Sequence, residues 1–249
     1  MGSQYNEFVE RQGQSPVLVQ KWFANRVLKC VSSSTDIPFP DMYILEVGTG
    51  LGYLAQAART LGAASYMGLE PNEDLRRISE EAASPYYVTS GQLPAIPESL
   101  KGKYNLAILV HVLEHAKDGH EARTWLSALL KHLSPGGAVV IISPDVLDYG
   151  PYFWDTDWTH GFPTSNRNVA QVFADIDADV TFSQRMRLGR VDPFSSSLGW
   201  WFSKLFPTRL ANVVGRKIFG RDVGTGLQVA ALWSLTFVVG RPNQDRSAS

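Results

Sequence analysis

The stretch Ile44-Leu-Glu-Val-Gly-Thr-Gly-Leu-Gly52 constrains the fold of this 249-residue chain more than any other. A short apolar run ends in Gly48, Gly50 and Gly52, and a helical pattern starts directly behind, over Leu51–Leu61. Glycines are needed where a backbone turns through dihedrals closed to other residues, or where a ligand must approach the main chain closely. Eighteen residues past Gly52 the next strand-like run ends in Gly68-Leu-Glu70. An acid at that distance suits a pair of ribose hydroxyls.

The rest of the chain repeats the alternation. β-branched or aliphatic runs at Tyr43–Val47, Ser65–Leu69, Tyr86–Thr89, Asn105–Val110 and Ala138–Ser143 are separated by helical patterns at Leu51–Leu61, Asn72–Ala83 and Gly119–Leu133. Such alternation predicts an α/β protein with a parallel sheet covered on both faces. Ligands then belong above the carboxyl ends of the strands. A leading helix is expected over Val17–Val31, a helix at Asn166–Ile176, a strand at Val180–Met186 and a last apolar strand from Val229 to Val239. Between the fifth strand and the later helix lies an aromatic loop, Asp145–Ser165, with Trp154, Trp158 and Phe162 among its rings.

Bulk properties exclude several classes. A net charge of −1 gives no electrostatic basis for binding nucleic acid through the whole surface. Cys30 is the sole cysteine, so no internal disulfide framework exists and a reducing compartment fits. Met1–Gln20 has no signal-peptide core, and no segment reaches the roughly 20 apolar residues of a membrane span. A cytoplasmic protein is expected.

A nicotinamide-binding fingerprint would place its third glycine at position 53, which is Tyr53. The motif here is E-x-G-x-G-x-G with Glu46 inside the strand. Together with Glu70, His111-Val-Leu-Glu-His115 and Leu133-Ser-Pro-Gly-Gly137, it resembles the successive motifs of class I S-adenosylmethionine-dependent methyltransferases, in order and spacing, over about residues 40–180. The resemblance is closest to the small-molecule branch. It implies a Rossmann-like seven-stranded, mostly parallel sheet, with the last strand antiparallel.

The same resemblance implies S-adenosylmethionine as cofactor and allots the positions. Glu46, Gly48, Thr49, Gly50 and Gly52 would face its methionine part, and Glu70 with Pro71 its ribose. Gln92 and Leu93, in the turn after the third strand, would lie beside adenine. The family often has an Asp in that turn, and this chain has none. His111 would border cofactor and acceptor.

A methyl group on a sulfonium is already activated, so the protein must align a nucleophile, exclude water and sometimes remove one proton. His111 follows the fourth strand, and its imidazole would titrate near neutral pH. His160 sits in the aromatic loop with Asp155 and Asp157 available to orient it, which makes it the leading candidate for a general base. Glu114 and His115 read as shaping their loop, with His115 lining the reaction centre. His120 and His132 fall on a helical pattern and read as surface or capping residues. A few relatives that bind a divalent metal carry E-x-x-E-H here. This chain has H-x-x-E-H, lacking the first acid, so no metal is expected, although Asp157 or His160 could add a ligand.

The organisation expected is an N-terminal helical cap at 1–40, a cofactor-binding core at 41–192 and 228–240, and a helical insertion at 193–227. The segment Pro193–Arg221 has five basic residues and no acid, with Trp200, Trp201 and Phe202 near Lys204. It suits a substrate lid, a homodimer contact or peripheral contact with a membrane. The expected activity is methyl transfer to a small, lipid-linked or sugar-linked acceptor, most simply at a hydroxyl. The alternatives are a nicotinamide-dependent oxidoreductase on a similar sheet and a non-catalytic protein that binds the same cofactor.

Overall fold

The computed structural model describes residues 17–155, 157–187, 190–191, 205, 207–219 and 234–243. Helix α1 (Val17–Thr35) precedes β1 (Tyr43–Val47), α2 (Tyr53–Leu61), β2 (Ser65–Leu69), α3 (Glu73–Ala83), β3 (Tyr87–Thr89), β4 (Leu106–Val110), α4 (Gly119–His132) and β5 (Ala138–Pro144). One-turn helices α5 (Val146–Tyr149) and α6 (Tyr152–Asp155) follow, then α7 (Asn166–Asp175) and β6 (Ala178–Arg187). The last elements are a two-residue β7 (Arg190–Val191), α8 (Thr208–Phe219) and β8 (Leu235–Pro242).

The sheet order is β3-β2-β1-β4-β5-β8-β6-β7. Strands β1 to β5 pair in parallel, and β8 runs antiparallel between β5 and β6. This is the expected seven-stranded, mostly parallel sheet, with β7 added as a short edge. Strand order reverses between β1 and β4, so the switch point opens above Val47 and Val110.

Period-two alternation divides the core between the two faces of the sheet. Ile44, Leu106, Ile108, Val140 and Ile142 face α1 and α2, where Val27, Leu28, Val31, Ala55 and Ala58 complete one core. Leu45, Val47, Leu109, Val139 and Ile141 face α4 and α7, where Leu126, Leu129, Val169 and Phe173 complete the other. Both faces are dry, which explains why these strands read as continuous apolar runs. Truncating a residue such as Ile108, fully buried, would cost roughly 2–5 kcal/mol. Helix α1 shares its core with β1.

Side chains cap the helices that surround the site. Asn72 Oδ1 accepts from the amides of Asp74 and Leu75, Asp118 Oδ1 from those of His120 and Glu121, and Ser165 Oγ from that of Asn168.

The stretch expected as plain loop after β5 contains α5 and α6. Asp145 accepts the Leu147 amide and so starts α5, and Gly150, at φ 54°, ends it. The expected strand start at Val229 and the aromatic part of the insertion, 193–204, lie outside the described residues.

Candidate active site

Above the switch point the glycine turn is built by its own hydrogen bonds. Gly48, Gly50 and Gly52 all have positive φ. The Gly48 amide donates to Leu69 O at 2.8 Å, and that of Gly52 to Thr49 O at 2.9 Å. A Cβ at Gly48 would lie 2.6 Å from Val112 Cγ2, so this turn and the His111–His115 stretch touch. A Cβ at Gly50 would meet nothing within 4 Å. Gly50 therefore faces open space, as a main chain offered to a ligand must.

Glu70 joins this turn to β2. Its Oε2 accepts the Gly50 amide at 3.0 Å and its Oε1 the Asn72 amide at 3.1 Å. Burial raises the pKa of its carboxyl, against the pull of those two amides. Thr49 turns away: its hydroxyl donates to Ser79 Oγ on α3 at 2.9 Å, leaving its backbone to the turn. Glu46 is buried beneath the turn and accepts a hydrogen bond from Tyr66 Oη. Burial pushes its pKa up to about 8, opposed by the Tyr66 donor and assisted by the Glu70 charge. Leu93 is buried, while Pro71 and Gln92 are exposed at the rim.

Across the switch point His111 adopts φ 55°, a left-handed conformation costing a non-glycine residue roughly 1 kcal/mol. Its amide donates to Ile142 O at 2.8 Å, and its exposed imidazole lies with Nδ1 3.4 Å from Glu114 Oε1. The next turn, Leu113–His115, is a 3-10 turn that drops Glu114 inward. Glu114 Oε2 accepts from Ser143 Oγ on β5 at 2.9 Å. Burial alone would raise the Glu114 pKa, but the neighbouring His111 and His115 imidazoles outweigh it and hold it below the ordinary value. The Glu114 carbonyl accepts from the amides of Gly161 and Phe162, at 2.9 and 3.2 Å. The loop-shaping role expected of Glu114 is thus carried by its main chain.

Those two bonds bring His160 over the turn. The His115 and His160 rings stand edge to face with centroids 5.1 Å apart, and Phe153 lies 4.7 Å from His160 on the other side. His160 Nδ1 lies 2.5 Å from the Phe153 carbonyl. A carbonyl only accepts, so Nδ1 carries the proton and Nε2 of the neutral ring has a lone pair. Burial lowers the His160 pKa, opposed by the Glu114 charge and the Phe153 bond.

The orientation of His160 differs from the carboxylate pair the sequence suggests. Its partner is a carbonyl supplied by α6. Asp157 instead accepts from the amide and hydroxyl of Thr159, at 2.9 and 2.6 Å. Thr159 Oγ1 in turn lies 2.8 Å from His115 Nδ1, so Asp157 positions His115 through Thr159. Asp155 is exposed at the rim of an open depression of about 430 Å³ walled by Pro151, Tyr152 and Trp154.

A family model described as a methyltransferase domain matches residues 21–204. The chain belongs to this methyltransferase family. It is a class I enzyme that uses S-adenosylmethionine, as the glycine turn and Glu70 imply. The match removes the nicotinamide alternative. Three solved structures show the same fold. A SAM-dependent methyltransferase from Archaeoglobus fulgidus is 15% identical, with a TM-score of 0.55, and 87% of this chain aligns with 94% of that one. Haemonchus contortus phosphoethanolamine N-methyltransferase 2, in complex with phosphomonomethylethanolamine and S-adenosylhomocysteine, is 13% identical with a TM-score of 0.58. There 95% of this methyltransferase covers 59% of the other chain. The cyclase SpnF is 14% identical with a TM-score of 0.57, covering 88% of this chain and 80% of its own. Among curated proteins none matches.

Sequence reasoning missed Tyr66, Ser143 and Thr159, each of which fixes a site residue. Thr159 carried a signal, since a Thr between Asp157 and His160 could reach either side. It also missed a buried network below the loop. Asp148 Oδ2 accepts from Arg187 Nη2 at 2.5 Å and from the Ser234 amide and hydroxyl, at 3.0 and 2.5 Å, which pins α5 to β6 and β8. Asp145 pairs with Arg185 at 2.7 Å beside it.

Proposed function

We propose that this methyltransferase moves a methyl group from S-adenosylmethionine to a hydroxyl of a small, lipid-linked or sugar-linked acceptor, with His160 as the group that takes the proton. The observation that carries this reading is the fixed His160 tautomer. Its Nδ1–H is committed to the Phe153 carbonyl, so a neutral Nε2 lone pair is held beside His115 and above β4 and β5. A base so placed contributes about 10²–10⁴-fold to proton transfer.

Bound S-adenosylmethionine supplies a methyl group activated on a sulfonium. The protein supplies the rest. The turn from Gly48 through Thr49 and Gly50 to Gly52, backed by Glu46, receives the methionine end. Glu70 and Pro71 take the ribose, Gln92 and Leu93 flank the adenine, and His111 borders cofactor and acceptor. Open space at Gly50 and the paired amides on Glu70 support the fit. His115 lines the reaction centre, held by Thr159 and Asp157. The acceptor enters over exposed Tyr152, Trp154 and Trp158.

Peripheral membrane contact from the cytoplasmic side is part of this reading. Leu210, Val213 and Val214 form an exposed stripe along α8, followed by exposed Arg216 and Lys217, which suits an interfacial helix. No helix among the described residues is long and apolar enough to cross a membrane. Flotation of the wild type on anionic vesicles, lost in a Val213→Ser/Val214→Ser variant, would support it; flotation of neither protein leaves α8 as a lid or dimer contact.

The test of the chemistry is turnover of a panel of hydroxyl acceptors by His160→Gln. Turnover about 10²-fold lower with unchanged S-adenosylhomocysteine binding is expected. Wild-type turnover in that variant would remove His160 from the role of base.

A further inference from the structure

Three side chains with metal-ligand chemistry converge where β4 and β5 end. One ligand-capable atom from each of Glu114, His115 and His160 lies within 4.8 Å of the other two. Glu114 is fully buried, and its Oε1 accepts no hydrogen bond; His111 Nδ1 lies 3.4 Å from it. A buried carboxylate oxygen in that condition is costly unless a positive charge completes it.

Both imidazoles are set to present the same nitrogen. His160 Nδ1–H donates to the Phe153 carbonyl. Thr159 Oγ1 donates its only proton to Asp157 Oδ1 at 2.6 Å, so toward His115 it can only accept, and His115 Nδ1 must carry a proton as well. Each ring thus has Nδ1–H tied to an outer acceptor and Nε2 free. That is the outer-shell arrangement that orients metal-binding histidines.

We propose that Glu114 Oε1, His115 Nε2 and His160 Nε2 form a binding site for a divalent transition-metal ion. Two imidazoles and one carboxylate favour zinc-like ions over magnesium or calcium, and leave a fourth tetrahedral position for water or an acceptor oxygen. Tetrahedral bonds of about 2.1 Å place ligand atoms about 3.4 Å apart, so a cluster whose ligand-capable atoms lie within 4.8 Å of one another needs to contract around the ion. His160 contributes the further ligand from the loop, and Asp157 acts one shell out. The ion competes with the proton for His160 Nε2, so this site goes beyond the proposed base chemistry and sets its conditions.

The experiment is calorimetric titration of the chelator-stripped full chain with Zn²⁺, with Mg²⁺ as the comparison ion, and visible absorption of the Co²⁺-loaded protein. Neither readout uses cofactor, acceptor or turnover. One Zn²⁺ per chain is expected for the wild type and for His120→Gln, which lies outside the cluster. Affinity at least 10-fold weaker, with loss of the tetrahedral Co²⁺ bands, is expected for His160→Gln and for Glu114→Gln. If Glu114→Gln fails to fold, as read by circular dichroism, His160→Gln and His115→Gln carry the comparison. Absence of stoichiometric Zn²⁺ binding, or variants that bind like the wild type, would overturn the site while leaving the methyltransferase reading intact. Lost methyl transfer with Zn²⁺ binding retained would do the reverse.

Discussion

The Gly50 amide donates to Glu70 Oε2 at 3.0 Å, so the acid at the end of β2, proposed above to take the ribose, also holds the glycine turn. Glu70→Ala should therefore lose two contributions at once. Affinity for S-adenosylhomocysteine is expected to fall by at least about 10-fold, the scale of one charged hydrogen bond. Calorimetric titration checks it, and unchanged affinity would detach Glu70 from the cofactor.

Gly50→Ala separates space from strain. A Cβ there meets no protein atom within 4 Å, but φ is 52°. The fold should lose only about 1 kcal/mol. Cofactor affinity should drop far more, by at least about 10-fold, because the methyl group occupies the approach to the main chain. A urea midpoint beside a binding titration gives both numbers.

Glu46 makes stability fall as pH rises. Burial is the main cause of its pKa of about 8. The folded state therefore binds more protons than the unfolded chain between about pH 4.5 and pH 8. Its contribution is complete below the unfolded value and lost as pH rises through the folded one. Glu46→Gln should flatten that loss, seen as a smaller drop in urea midpoint between about pH 5 and pH 9.

His160 runs the other way. Burial lowers its pKa, so its contribution is present above the unfolded value and lost as pH falls through the folded one. The acid limb of kcat/KM should lie below the ordinary imidazole range whether Nε2 takes a proton or an ion. His160→Gln should remove that limb from whatever activity is left, as a pH profile would show.

Below the loop, Asp148 and Arg187 form a buried pair shared with Ser234. Asp148→Ala removes a carboxylate paired with a buried guanidinium, and a loss of about 3–5 kcal/mol is expected. Thermal unfolding of the variant measures it; a change under 1 kcal/mol would mean water replaces the carboxylate.

The parallel half of the sheet was legible because both of its faces are dry. Strands such as Leu106–Val110 and Ala138–Pro144 have no polar side to blur their limits. Glycine spacing and Glu70 marked the turn proposed to receive the cofactor for the same local reason, since both lie within one strand-turn-helix unit. The proposed acceptor end was legible only as a set of residues. His160 could be named, but its partner is the Phe153 carbonyl, and a main-chain acceptor leaves no mark in composition or spacing. The Asp148–Arg187–Ser234 network joins residues up to 86 positions apart and depends on tertiary placement alone.

The double acceptance at the Glu114 carbonyl has a consequence for retargeting this enzyme. Gly161 sits so close to Ala116 O that a Cβ would come within 2.5 Å, and its amide and that of Phe162 both end on Glu114. Residues 111–116 and 157–162 therefore behave as one cassette. An acceptor loop transplanted from a relative must bring its own β4 turn with it. Moved alone, it would arrive without the seat that aims its histidine.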